Sequence, residues 1–258
     1  MRCIFLHGLA GEPEDFAAVR VHLSGWRVAA PAIDYFSGRF ESLDDLARMV
    51  RKSLAPEFQD PSCLVIGNSL GGVLALALAK NYVHAVLAGS HIRMSSGFVG
   101  RGSGVLATEL ARIFHDPARL SAARIRRYEE RWQAFASSRA KLRQLRPLKR
   151  MVQSFDGHGL YRRLQGRLTL VCGASDAISP LDCCKELVAQ YPGMGMEVLE
   201  DCGHAVPIER PQALARVLRR VHENLCGADP AAAKKRLRAD LDLGIVSSCA
   251  GGKRTEIC

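Results

Sequence analysis

An α/β fold with one six-stranded, mainly parallel sheet is what this sequence predicts, and three observations predict it. Short apolar segments alternate with amphipathic ones on both sides of a central basic stretch, a pattern that buries a parallel sheet between helical layers. The run Cys63-Leu64-Val65-Ile66-Gly67 is followed within two residues by a serine between glycines, and then at once by the helix-forming stretch Val73–Lys80. The length of 258 residues, 48% of them hydrophobic, suits one large core.

Taken in order, Arg2–Leu6 is a short strand closed by the glycine-bearing turn His7-Gly8-Leu9-Ala10-Gly11. Glu12-Pro13-Glu14-Asp15 then starts a helix, with proline and acids in the first turn, and Phe16, Val19 and Leu23 share its inner face. Trp26–Ala30 is the second strand, closed by Pro31. Ser42 opens a helix with Leu43, Leu46, Ala47, Val50 and Leu54 in register. After the serine segment, Ala85–Ala88 is the fourth strand, and Arg167–Cys172 and Met196–Glu200 are the fifth and sixth. Helices follow the last two over Pro180–Tyr191 and Pro211–Asn224.

Between the fourth and fifth strands the character changes. Gly97, Gly100, Gly102 and Gly104 lead into arginine-rich helical stretches, Leu120–Phe135 and Ala140–Leu145, with a break expected at Pro147. The expected organisation is therefore a core of residues 1–91 and 167–225, an inserted helical lid of residues 92–166, and a C-terminal extension, 226–258, that shows no sustained pattern and is expected to be mobile.

Charge follows the same division. Between Ile92 and Gly166 stand 16 Lys and Arg against 5 Asp and Glu, a local balance of +11, while the rest of the chain carries 20 against 21, or −1. A proteome-wide habit of arginine use would spread the excess more evenly, so the segment is read as a surface for an anionic partner. Nucleic acid fits it poorly, since Tyr128, Trp132 and Phe135 are the chief stacking surfaces there and no binding motif accompanies them. The nine cysteines are scattered with no C-x-x-C pair, which reads as reduced thiols in a cytoplasmic protein and not as a disulfide framework or zinc site. The first apolar run, Cys3–Leu6, is too short for a signal peptide, and no run approaches the length that spans a bilayer.

The chemistry centres on Gly67-Asn68-Ser69-Leu70-Gly71, a G-x-S-x-G elbow in which small residues permit a strained turn that presents the serine hydroxyl. A hydroxyl is a weak nucleophile at neutral pH, so Ser69 needs a histidine base, and that base needs an acid to fix its tautomer. Asp176 follows the fifth strand and His204 the sixth, at the same sheet edge as Ser69. Asp182 and Asp201 stand open as alternative acids. The backbone N–H groups of Leu9, in the first glycine turn, and Leu70, at a helix start, are candidates to bind an oxyanion. His7 is read as shaping that turn, Cys202 as a buried thiol, and His91 and His158 as residues that could border the substrate. The competing reading of Ser69 is a serine in a structural or phosphate-binding turn.

His7-Gly8, Gly67–Gly72, Asp176 with Pro180, and Gly203-His204 followed by Glu209-Arg210-Pro211 together resemble the α/β-hydrolase superfamily over residues 1 to about 225. Relative to that family the chain begins at what counts as the third strand, so the usual antiparallel first pair is not expected. Within it the pattern is most similar to carboxylesterases that cleave pimeloyl-[acyl-carrier protein] methyl ester in biotin synthesis. It also resembles menaquinone-pathway lyases that use the same triad. The resemblance implies a serine esterase that needs no metal or organic cofactor and takes its substrate from an acidic acyl carrier protein. On that reading Arg124, Arg127, Arg131, Arg139 and Arg143 of the inserted segment hold the carrier. A hydrolase-fold binding protein that has lost catalysis is the alternative from a different class.

Overall fold

The computed structural model describes residues 1–91 and 103–227. Gly97, Gly100 and Gly102 of the expected glycine lead-in, and all but the first two residues of the expected C-terminal extension, lie outside the described residues.

Six strands form one parallel sheet: β1 (Arg2–Leu6), β2 (Arg27–Ala29), β3 (Leu64–Asn68), β4 (His84–Ala88), β5 (Leu168–Gly173) and β6 (Gly195–Leu199). Their spatial order is β2-β1-β3-β4-β5-β6. The chain thus steps outward from β1 to β2, then crosses back to lay β3 on the other side of β1. Where the order reverses, the loops leaving the carboxyl ends of β1 and β3 part and leave a crevice. The glycine turn at His7 and the elbow at Ser69 are those two loops.

Alternation along the strands builds a core on each face. In β1, Ile4 and Leu6 pack into one cluster with α2 (Leu43–Ser53), α3 (Leu70–Leu78), α7 (Gly157–Leu164) and α8 (Leu181–Gln190). Cys3 and Phe5 point to the other cluster, with α1 (Ala17–Val21) and α10 (Pro211–Gly227). Each fully buried large apolar side chain contributes about 1.5–3 kcal/mol, so this two-sided burial is what holds the strand ends in place. Ser42 caps α2 by accepting the Asp45 N–H, and the amphipathic spacing expected there buries Leu43, Leu46, Ala47 and Val50.

Two local expectations are corrected. The helix expected after Glu12 begins as a 3₁₀ turn, Pro13–Phe16, before α1. A reciprocal cap between Glu12 and Asp15 tightens that turn, and Phe16 stacks on Phe5 at 4.6 Å between ring centroids. The break expected at Pro147 does not occur, because α6 (Arg139–Ser154) runs straight through it. Pro147 lies on the exposed face, while Leu148 and Val152 are buried, so docking of the apolar face outweighs the one lost hydrogen bond. Between β4 and β5 the described chain is helical, with α4 (Ser103–Ile113), α5 (Ala122–Ala136), α6 and α7.

Candidate active site

The elbow is a strained turn held by close backbone packing. Ser69 sits between β3 and α3 with φ 57° and ψ −124°, a conformation that costs a non-glycine residue of order 1–3 kcal/mol. A Cβ on Gly67 would lie 1.9 Å from the Gly71 carbonyl oxygen, and one on Gly71 would lie 2.1 Å from the Leu6 carbonyl oxygen. The first turn of α3 therefore crosses the ends of β3 and β1 at a distance only glycine allows, and this crossing lifts Ser69 clear of the sheet. Leu70 is the first residue of α3, whose leading N–H groups have no partner within the helix.

Across the crevice, His7 braces the glycine turn. Its Nε2 accepts the Ile33 N–H at 2.9 Å, so Nδ1 carries the hydrogen and donates to the Gly8 carbonyl at 2.9 Å. Burial lowers the His7 pKa below the ordinary histidine value, which keeps it in this neutral form. The buried Tyr35 hydroxyl donates to the His7 carbonyl at 2.7 Å, fixing the same turn from the other side. Sequence reasoning did not find Tyr35, for a tyrosine in an irregular stretch carries no local mark of this role.

The acid and the imidazole meet where the loops after β5 and β6 converge. His204 Nδ1 donates to Asp176 Oδ2 at 2.9 Å, and both residues are buried. The other oxygen, Asp176 Oδ1, accepts the backbone N–H groups of Ile178 and Ser179, each at 2.8 Å. With Nδ1 committed to the carboxylate, Nε2 keeps its lone pair, and it is buried without a hydrogen-bond partner. Ser69 and His204 line the same cleft, and no hydrogen bond joins the Ser69 hydroxyl to Nε2 in this structure. Asp182 instead pairs with Lys185, and Asp201 pairs with Arg210 and Arg119.

The cleft is narrow and open to solvent, with a cavity volume of about 60 Å³. Leu9, Asn68, Ser69 and His204 line it together with the apolar Phe16, Ile178, Pro207 and Ile208. Ile113 and Tyr128 reach it from the segment between β4 and β5. The cleft sets the Ser69 hydroxyl and the His204 imidazole among apolar side chains, with His7, Asp15, Asn68 and Tyr128 as its other polar lining, an arrangement suited to attack on a carbonyl group.

The five arginines singled out above do not behave alike. Arg124, Arg127, Arg139 and Arg143 are exposed. Arg131 is turned inward, pairing with Asp15 Oδ1 at 2.8 Å and Glu12 Oε1 at 3.1 Å, while Arg127 also meets Glu12 at 2.5 Å. Arg131 thus serves contacts within the protein. Of the other residues weighed, His91 bonds the Ser179 hydroxyl at 2.6 Å, beside the Asp176 loop, and His158 bonds the Tyr191 hydroxyl at 2.7 Å. Burial pushes the Cys202 thiol up to about 12, so it is not a thiolate nucleophile near neutral pH. Among the described residues, no group of three or more His, Cys, Asp or Glu is placed to hold a metal ion, and no helix is long and apolar enough to cross a membrane.

A parallel sheet with a serine elbow at its switch point, facing a buried Asp–His pair on neighbouring strand ends, has the architecture of an α/β hydrolase. The model of the alpha/beta hydrolase family matches residues 3–217, and the chain belongs to that family. It is 28% identical over 241 residues to a pimeloyl-[acyl-carrier protein] methyl ester esterase of Aromatoleum aromaticum, covering 82% of this chain and 94% of the relative. Among solved structures it is similar to a thermophilic esterase from Thermogutta terrifontis, with TM-score 0.67, 18% identity, and coverage of 87% and 90%. It is similar also to a meta-cleavage product hydrolase from Pseudomonas fluorescens IP01, with TM-score 0.66, 16% identity, and coverage of 87% and 91%. These two likenesses concern the fold.

Proposed function

We propose that this chain is a cytoplasmic serine carboxylesterase that hydrolyses an acyl ester, with pimeloyl-[acyl-carrier protein] methyl ester as the preferred substrate. The observation that carries the reading is the buried His204–Asp176 bond, which leaves a free Nε2 lone pair in the cleft that Ser69 lines. Ser69 Oγ attacks the ester carbonyl as its proton passes to His204 Nε2, and Asp176 stabilises the imidazolium. The Leu9 and Leu70 N–H groups hold the oxyanion. Collapse of the tetrahedral adduct expels the alcohol, which takes the proton from His204. Water, deprotonated by His204, then attacks the acyl-enzyme and releases the carboxylic acid and Ser69.

Substrate choice rests on the carboxylesterase relative and on the charge of the inserted segment, residues 92–166, acting as a lid. Its exposed Arg124, Arg127, Arg139 and Arg143 provide a cationic face that attracts an acidic acyl carrier protein. The test is hydrolysis of short p-nitrophenyl esters and of the carrier-bound methyl ester by wild-type and Ser69→Ala protein, with complementation of a biotin auxotroph lacking its esterase. Turnover of both esters that disappears with Ser69 is the expected result. Pyruvate release from a menaquinone precursor, or cleavage of a C–C bond in place of an ester, would assign the triad to a lyase or C–C hydrolase. Absence of labelling by a fluorophosphonate probe on folded protein would favour a binding protein without catalysis.

A further inference from the structure

Backbone contacts around His204 tie it to the inserted segment through one carboxylate. Glu209, which ends the short α9 (Val206–Glu209), uses both of its oxygens: Oε2 accepts the Gly203 N–H at 2.8 Å and Oε1 accepts the His115 N–H at 2.6 Å. The next two links close a ring, since the His204 and Ala205 N–H groups both donate to the Ile113 carbonyl, at 2.7 and 3.2 Å. The two stretches touch here at backbone distance, because a Cβ on Gly203 would lie 2.6 Å from the Ile113 carbonyl oxygen and 2.7 Å from the His115 nitrogen. A side-chain bond from His115 Nδ1 to the Ser175 hydroxyl at 2.8 Å joins the same stretch to the loop that carries Asp176.

From this ring we infer that Glu209 is a positioning residue for His204, clamping the loop that carries the imidazole against residues 113–115 of the inserted segment. The inference rests on the reading of His204 as the base. Glu209 is suited to the task because two convergent N–H groups need two acceptors on one rigid head, which a carboxylate has and an amide lacks. The anchors of the fold lie elsewhere. Leu214, Val217, Leu218 and Val221 hold α10 in the core, and β6 is held by its pairing with β5. Loss of the clamp therefore slackens the imidazole without unfolding the sheet, while the bonds of His204 and Ala205 to Ile113 and of His115 to Ser175 still tie the two stretches. A base displaced by about 1 Å costs on the order of 100-fold in rate, so the effect belongs in kcat.

The experiment compares wild type, Glu209→Gln and Glu209→Ala as full chains, using p-nitrophenyl acetate turnover, thermal melting, and the low-field proton NMR resonance of the His204 Nδ1–H bonded to Asp176. The amide variant keeps the volume but offers one acceptor, so kcat is expected to fall about 10- to 100-fold with KM nearly unchanged. Its low-field resonance should broaden or vanish through exchange with water, while the melting temperature drops by only a few degrees. A melting temperature that falls while kcat per folded molecule and the resonance stay at wild-type values would overturn the inference and leave Glu209 a stabilising residue only. If wild type itself neither turns over the ester nor reacts with a fluorophosphonate, the esterase reading fails, and the resonance alone still decides whether Glu209 holds the imidazole.

Discussion

The crevice above β1 and β3 and the helical segment between β4 and β5 line one cleft, yet they are built in different ways. In the crevice, positions follow from backbone packing: Gly67 and Gly71 allow a crossing that no side chain could share, and His7, Asp176 and His204 are buried with specific partners. In the helical segment, most of the arginines reach solvent; Leu148, Val152, Leu160, Tyr161 and Leu164 dock into the core, and ion pairs and backbone bonds at Glu12, Asp15, Asp201 and Glu209 add to that docking. The difference teaches that chemistry and recognition are separable here. Rigid packing sets where the reacting atoms lie, and a solvated, charged surface above them can vary without disturbing them.

Substitution of Ser69 by alanine should have the largest effect, a loss of about 10⁴-fold or more in kcat with the circular dichroism spectrum unchanged. Residual turnover near the wild-type rate would move the chemistry away from the crevice and break the comparison at its root. Gly71→Ala should follow, because its added Cβ meets the Leu6 carbonyl at 2.1 Å. We expect a loss of about 3 kcal/mol or more in urea unfolding, against less than about 0.5 kcal/mol for Arg139→Ala on the solvated side. Next comes Arg131→Met, which leaves Glu12 and Asp15 without their shared cation and should cost about 1–3 kcal/mol, read as a lower melting temperature. That outcome would mark Arg131 as part of the core's fastening and not of the outer charge.

Acid should act on the sheet itself. Burial holds His84, at the start of β4, down to about 4. A neutral histidine in the fold that protonates when unfolded contributes stability that is fully present above the unfolded pKa of about 6.5 and is lost as pH falls toward the folded value. His7, also lowered by burial, acts in the same direction. Each such group can steepen the loss by up to about 1.4 kcal/mol per pH unit, and His84→Gln should flatten the dependence of unfolding free energy on pH below 6.5. The smallest effect on the protein itself is expected from Arg139→Glu with Arg143→Glu. Free p-nitrophenyl ester turnover should be unchanged, while KM for a carrier-bound ester rises about 10-fold at low salt and less at high salt. Equal effects on both substrates would mean that the solvated surface and the reacting centre are not separable.

What the sequence determined by itself is whatever depends on neighbours along the chain. All six strands were legible because short apolar runs end at glycine, proline or polar turns, and no strand boundary shifts by more than one residue. Ser69, Asp176 and His204 were legible for the same reason, each standing in a short loop directly after such a strand. The tertiary structure alone decided the reversal of strand order at β1 and that Asp176, not Asp182 or Asp201, meets His204. It also decided the passage of α6 through Pro147, the inward turn of Arg131, and the two acceptor bonds of Glu209. These last contacts join residues 6 to more than 100 positions apart, and their free energy appears only once the elements have docked. Local propensity cannot encode which of several exposed-looking charges will find a partner, because the partner arrives by packing and not by spacing in sequence.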